Sequence, residues 1–144
     1  MIKGIDQEVI QKKLQELKRY VKELENLKNI PFDEFSSSLT KQWMFHHGLQ
    51  LSIQLLLDIG NHILAAIGEN QIEEYVDVID KLGEKGIIPI DFSKRIRGMV
   101  GLRNILVHEY ADIDLHKVYD IVQNKLQDFY HFAEYIVDYL SEGK

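Results

Sequence analysis

Between Phe92 and His108 the chain carries Lys94, Arg95, Arg97 and Arg103 and no acidic residue, although its formal net charge is −6. One basic segment in an acidic protein suits the capture of a single anionic group such as a phosphate. It does not suit a protein that coats nucleic acid indiscriminately. Arginine presents a planar fork of donors that matches phosphate. An imidazole, titrating near ~6.5 when unperturbed, can take or give a proton at neutral pH. The same composition would also describe a solvated basic helix face, so spacing has to be considered.

Arg97, Gly101, Asn104 and His108 lie 4, 3 and 4 residues apart and share one face of a helix. Glycine in a helix interior costs about 0.8–1 kcal/mol relative to alanine. Gly98 and Gly101 therefore point to a close approach by another backbone or a ligand, tight helix packing being the commoner cause. Arg103 falls elsewhere on the same wheel, among Ile96, Met99, Val100 and Val107. An arginine in an apolar stripe must snorkel out, pair with an acid such as Asp58, or face a subunit interface. A regular helix would hold Arg103 and His108 about 140° apart. A long arginine side chain, a distorted last turn or a second subunit is then needed to bring both to one phosphate.

A second polar stripe is formed by His47, Gln50, Gln54, Asp58 and Asn61, spaced 3, 4, 4 and 3. It runs along an otherwise apolar segment, so it is either the solvent edge of a buried helix or is satisfied by partners in a cleft. Other kinds of site find little support. There is no H-E-x-x-H and no Gly-rich phosphate loop. Asp58 and His62 are one turn apart, but too few further ligands accompany them for a metal site. Neither metal nor cofactor is expected.

Five helices would position these residues. The first spans about Asp6 to Lys28, with Leu14, Leu17, Val21 and Leu24 on its apolar stripe, and Asn29-Ile30-Pro31 ends it. The second follows Ser36-Ser37-Ser38, a set of hydroxyl residues suited to capping, and runs to Ile67 before Gly68. The third covers about Gln71 to Leu82, with Ile72, Tyr75, Val76, Ile79 and Leu82 on one side. Pro89 precedes the fourth, Ile90 to His108. Asp114 caps the fifth, which should run unbroken from Leu115 to about Leu140 because its apolar residues keep 3–4 spacing throughout. The expectation is an all-α, antiparallel helical bundle forming one domain over residues 1–144.

Composition agrees with a soluble globular chain: 45% hydrophobic, 28% charged, two prolines and nine glycines. Cysteine is absent, which excludes disulfides, thiolate zinc sites and a cysteine nucleophile. The first eight residues lack an apolar run, so no signal peptide is read there. The apolar stretch from Leu49 to Ile67 contains Gln50, Gln54, Asp58, Asn61 and His62, and reads as a buried helix, not a membrane span. A cytoplasmic location is expected.

The run Arg97-Gly98-Met99-Val100-Gly101-Leu102-Arg103-Asn104-Ile105-Leu106-Val107-His108-Glu109-Tyr110 contains R-x-x-x-x-H-x-Y and leads through Asp112-Ile113-Asp114 into a final helix. It closely resembles the signature of HepT-like proteins, the HEPN-superfamily toxins of prokaryotic toxin–antitoxin pairs. The resemblance covers nearly the whole chain, including the apolar second helix with Asp58 and Asn61. It implies a HEPN helical bundle, a homodimer with a cleft between subunits, and metal-independent RNA cleavage with Arg103 and His108 as catalytic residues. It also implies a minimal nucleotidyltransferase (MntA) antitoxin that adds AMP to the motif tyrosine, which is Tyr110 here.

The residues agree with that chemistry. RNA cleavage without a metal requires the 2′-OH to lose its proton, the phosphorane charge to be stabilised and the leaving oxygen to gain a proton. His108 can serve as base or acid and Arg103 can grip the phosphate, with Asn104, Arg97 and Asp58 as supporting groups. A single His cannot make both transfers at once. A two-fold dimer would supply a second His108, and His46, His47 and Glu109 are the alternatives. The competing reading is a non-catalytic helical binding partner that docks a nucleotidyltransferase and presents Tyr110.

Overall fold

The helices begin where side chains satisfy their first free N–H groups. In the computed structural model, which describes residues 4–108 and 110–142 but not the Tyr110 side chain, Asp6 accepts from the Val9 amide at 3.2 Å and opens α1, Gln7–Glu25. That helix buries Ile10, Leu14, Leu17, Val21 and Leu24. It ends three residues earlier than expected, because Leu27 and Lys28 bond three residues back, to Leu24 and Glu25, and tighten the last turn.

A short helix that the periodicity did not show, α2, covers Phe32–Ser36 and seals Phe35 fully inside. Five residues are too few to display a 3.6-residue repeat. Of the three serines, only Ser38 caps the next helix, accepting from the Lys41 amide at 3.3 Å. Ser36 and Ser37 instead donate back to the Asp33 carbonyl.

The central element is α3, Leu39–Ala66, about 42 Å long. It touches α1, α2 and each of the four α-helices that come later in the chain, and its Phe45, Leu49, Ile53, Leu56, Ile59 and Ile63 are almost wholly buried. Gly68, at φ +87°, turns the chain out of it, with Gly68 and Glu69 bonding back to Ala65 and Leu64. α1 runs antiparallel to α3: Gly48 abuts Leu24, and Gly4 abuts Ala66 at the other end.

α4, Tyr75–Glu84, starts later than the expected Gln71 because a capping box fixes its first turn. The Asp77 carboxylate accepts from the amides of Glu73 and Glu74, which holds it below the usual carboxylate range. A tight connection through Gly86 (φ +72°) leads to α5, Ile90–His108. A 3₁₀ turn, Tyr110–Asp112, follows. α6, Leu115–Asn124, is capped by Asp114 through the amides of His116 and Lys117.

The expected unbroken last helix is corrected: it divides at Lys125 into α6 and α7, Gln127–Glu142. Lys125 leaves helical geometry at φ −125°, ψ 9°, and Asp128 and Phe129 restart the chain with bonds to Lys125 and Leu126. The restart places the Asp128 carboxylate, 3% exposed, 2.8 Å from the Arg95 guanidinium, so α7 is tied to α5. The apolar spacing runs through the break because Val122, Leu126 and Phe129 are all buried on either side of it.

The result is an all-α antiparallel bundle of seven α-helices among the described residues, with no strand. No helix among them is long and apolar enough to cross a membrane.

Candidate functional site

α4 and α5 form a hairpin whose register can be followed from its closed end. At Gly83 a Cβ would lie 2.7 Å from the Ser93 Cβ, so the two helices meet there almost backbone to backbone. One turn on, Asp80 receives Arg97 in two-pronged fashion, Nε to Oδ1 at 2.7 Å and Nη2 to Oδ2 at 3.1 Å. These bonds raise the Arg97 pKa further above its ordinary value. At the open end the Arg103 guanidinium lies over the Tyr75 ring, 4.5 Å from its centroid.

α3 supplies further partners for Arg103. Arg103 Nε donates to Gln54 Oε1 at 2.9 Å, and Gln54 Nε2 donates to Asp58 Oδ1 at 2.8 Å. Arg103 Nη1 also donates to Asn104 Oδ1 at 3.1 Å. A guanidinium has five N–H donors. Among the described residues, both donors of Nη2 and one of Nη1 remain unspent. Half-burial on an apolar helix face is thus resolved by neutral and aromatic partners, and Arg103 reaches Asp58 only through Gln54.

Arg103, Asn104 and His108 line one open groove of about 460 Å³, floored by Val100 and faced by Glu74, Tyr75 and Val76 at the start of α4. The 140° separation on the wheel is bridged within a single chain, because the long Arg103 side chain is drawn over Tyr75 towards Gln54. His108, the last residue of α5, is exposed at the groove. The arrangement puts a partly free, always-charged anion grip and a proton-transfer group on one concave surface.

Other residues singled out by sequence lie elsewhere. Arg97 faces Asp80 in a separate depression beside Ser93 and Lys94. Asp58 stands behind Gln54. His46 is 4% exposed in the N-terminal half of α3, and burial holds its pKa below the ordinary value. His47 borders an apolar hollow with Tyr20, Met44 and Leu51. Neither histidine lines the groove. Tyr110 opens the 3₁₀ turn two residues beyond His108, while its side chain and Glu109 lie outside the described residues. No group of three or more His, Asp or Glu residues among the described residues is placed to hold a metal ion.

Two residues that hold Arg103, Gln54 and Tyr75, are not among the expected site residues. Gln54 stood in the polar stripe of the second expected helix without a role. Tyr75 was read as part of an apolar core stripe, yet it is 39% exposed. The expected helix start at Gln71 hides it; in the structure Tyr75 is the first residue of α4, where a side chain can project past the helix end.

The chain matches the family described as Ribonuclease HepT-like over residues 10–136. It is 32% identical to the tRNA nuclease HepT of Aphanizomenon flos-aquae over 95% of this chain and 93% of that one. It is 30% identical to the mRNA nuclease HepT of Shewanella oneidensis over 90% of this chain and 96% of the relative. Its fold superposes on a tri-AMPylated Shewanella oneidensis HEPN toxin, solved in complex with an MNT antitoxin, with a TM-score of 0.82. That match has 29% identity and covers 90% and 97% of the two chains.

Proposed function

The chain belongs to the HepT-like ribonuclease family, and from that premise we propose that it is the toxin of a toxin–antitoxin pair, a cytoplasmic endoribonuclease that cleaves mRNA or tRNA without a metal ion. The observation that carries this reading is the groove lined by both Arg103 and His108, in which Arg103 keeps three N–H donors unbonded among the described residues. The two HepT relatives are nucleases of tRNA and of mRNA, and both substrates present the same phosphodiester and 2′-OH.

Cleavage proceeds by attack of a ribose 2′-oxygen on the adjacent phosphorus. A His108 imidazole takes the 2′ proton. The new P–O bond forms as the bond to the 5′-oxygen breaks, and that oxygen leaves with a proton from a second imidazole. Arg103 holds the non-bridging oxygens, whose charge grows in the transition state, and Asn104 keeps Arg103 Nη1 in place. We assign the second imidazole to His108 of a two-fold partner: of the alternatives, His46 and His47 lie away from the groove, and Glu109 falls outside the described residues. The exposed α5 face with Gly98, Gly101 and Asn104 is the surface on which a second copy packs. Silencing comes from a nucleotidyltransferase antitoxin that adds AMP to Tyr110, and so adds phosphate charge and bulk two residues beyond His108 in the chain.

Purified protein incubated with bulk tRNA and with a transcribed mRNA tests the reading. Wild type should cleave in EDTA, and Arg103→Ala or His108→Ala should each lose about 100-fold or more. Loss of cleavage in EDTA would end the metal-free assignment. An inert wild type that still binds the nucleotidyltransferase would leave a non-catalytic docking partner. Intact-mass spectrometry after co-expression with the antitoxin should show AMP on Tyr110 and none on Tyr110→Phe.

A further inference from the structure

We infer that Gln54 and Tyr75 are positioning residues that clamp the Arg103 guanidinium in one orientation, with Asp58 setting the direction of the clamp. The inference rests on the reading of Arg103 as the phosphate grip, and extends it to two residues on other helices.

The geometry constrains the guanidinium in three ways. Its Cζ lies over the Tyr75 ring, 4.5 Å from the centroid, so the ring covers one side of the group and limits its swing. Its Nε–H is fixed to Gln54 Oε1 at 2.9 Å, and its Nη1 to Asn104 at 3.1 Å. Gln54 is itself held one way round. An amide has a donor end and an acceptor end, and an ionised Asp58 can only accept. The Gln54 NH₂ therefore turns to Asp58 at 2.8 Å, and its oxygen faces Arg103. A flipped amide would set its NH₂ against the guanidinium and its oxygen against the carboxylate, two repulsive contacts in place of two bonds.

The chemistry of the clamp matters as much as its shape. A carboxylate bonded directly to Arg103 would neutralise the charge that a phosphate has to meet. A neutral amide and an aromatic face hold the side chain while leaving its full positive charge and its Nη2 end for the ligand. Asp58 acts at one remove, through the amide. A phosphodiester then meets a guanidinium already oriented, and misplacement by about an ångström is enough to cost about 100-fold in rate.

Release of the clamp should therefore lower kcat more than it raises KM, because a loose arginine still attracts RNA but no longer follows the charge of the transition state. Gln54→Met keeps the size and removes the acceptor. Tyr75→Ala removes the face, and Tyr75→Phe keeps it. With bulk tRNA as substrate, Gln54→Met and Tyr75→Ala should each lose tenfold to about 100-fold in kcat with KM within about threefold, and Tyr75→Phe should stay within about twofold of wild type. Arg103→Ala is assayed alongside.

Nitrogen-15 NMR of the arginine side chains reads the clamp without turnover. The Arg103 Nε–H, assigned by its loss in Arg103→Lys, should exchange slowly in wild type and Tyr75→Phe and rapidly in Gln54→Met. The Arg97 Nε–H, bonded to Asp80, should remain slow in every variant and reports an intact fold. An Arg103 signal unchanged by Gln54→Met overturns the clamp itself. A signal released by Gln54→Met with kcat unchanged, while Arg103→Ala is inert, overturns its positioning role. Wild-type cleavage by Arg103→Ala would overturn the reading of Arg103 as the phosphate grip, and this inference with it.

Discussion

Gly98→Ala and Gly101→Ala should strengthen the folded chain and weaken the enzyme. Both glycines lie well inside α5, and both are exposed, with nothing among the described residues within 4 Å of where a Cβ would stand. No contact in the single chain therefore opposes the helix-propensity gain, about 0.8–1 kcal/mol for each substitution. For 144 residues, at about 2.1 cal/mol/K of unfolding entropy per residue, the double variant should melt about 5–7 °C higher. That gain is read by thermal unfolding at low protein concentration, where association contributes nothing. At high concentration the same methyl groups should hold apart two copies packed through this face, lowering the mass seen by light scattering and the rate of RNA cleavage together. A double variant that is more stable but equally associated and equally active would refute the placement of a second copy on this face. No gain in stability at low concentration would refute the reading of these positions as open.

Gly83→Ala should act in the opposite sense despite the same propensity gain, because the added Cβ falls 2.7 Å from the Ser93 Cβ. Because both Oγ and Cβ of Ser93 stand within 3.0 Å of the added Cβ, the cost should fall in the upper part of the overpacking range, about 2–3 kcal/mol. Less the propensity gain of about 0.8–1 kcal/mol, this should leave a net destabilisation of about 1–2 kcal/mol in urea unfolding and reduced cleavage, with Ser93→Gly in the same chain restoring activity. His46 should impose a pH dependence on stability. Its folded pKa lies below the ordinary 6.5 through burial, so under acid the unfolded chain binds the extra proton first. Stability should fall as pH drops from about 6.5 towards the lowered folded value. Urea unfolding of wild type and His46→Gln from about pH 5 to 7 should show a steeper slope in wild type than in the variant.

What could be read before folding was local. The stripe Leu14, Leu17, Val21 and Leu24 announces α1. Ser38, Asp114 and Gly68 mark boundaries through capping chemistry, and α5 ends at His108 as expected. The division at Lys125 was hidden because no glycine or proline marks it and the apolar spacing passes through unchanged. The groove was half legible. Arg103, Asn104 and His108 are close in the chain, and the motif ending in Tyr110 identified them. Gln54 is 49 residues from Arg103, and Tyr75 lies on a stripe whose pattern is the same whether it faces a core or a groove. Arg97 shares a helix face with His108, but its partner Asp80 sits on the neighbouring helix, and only packing reveals that it is engaged there.

The hairpin register has an evolutionary consequence. Gly83 with Ser93, Asp80 with Arg97 and Tyr75 with Arg103 meet in order along two antiparallel helices. Extra residues in the connection around Gly86 lengthen a surface turn and leave these pairs in step. One residue inserted within α4 turns everything on one side of it by about 100° and shifts it by about 1.5 Å. An insertion between Asp80 and Tyr75 would carry the ring off the guanidinium while the rest of the hairpin stayed paired. The lineage of this protein is thus free to vary its loop lengths but not its helix lengths between these anchors. A length change inside α4 would be expected to survive only where another side chain had taken over the face of Arg103.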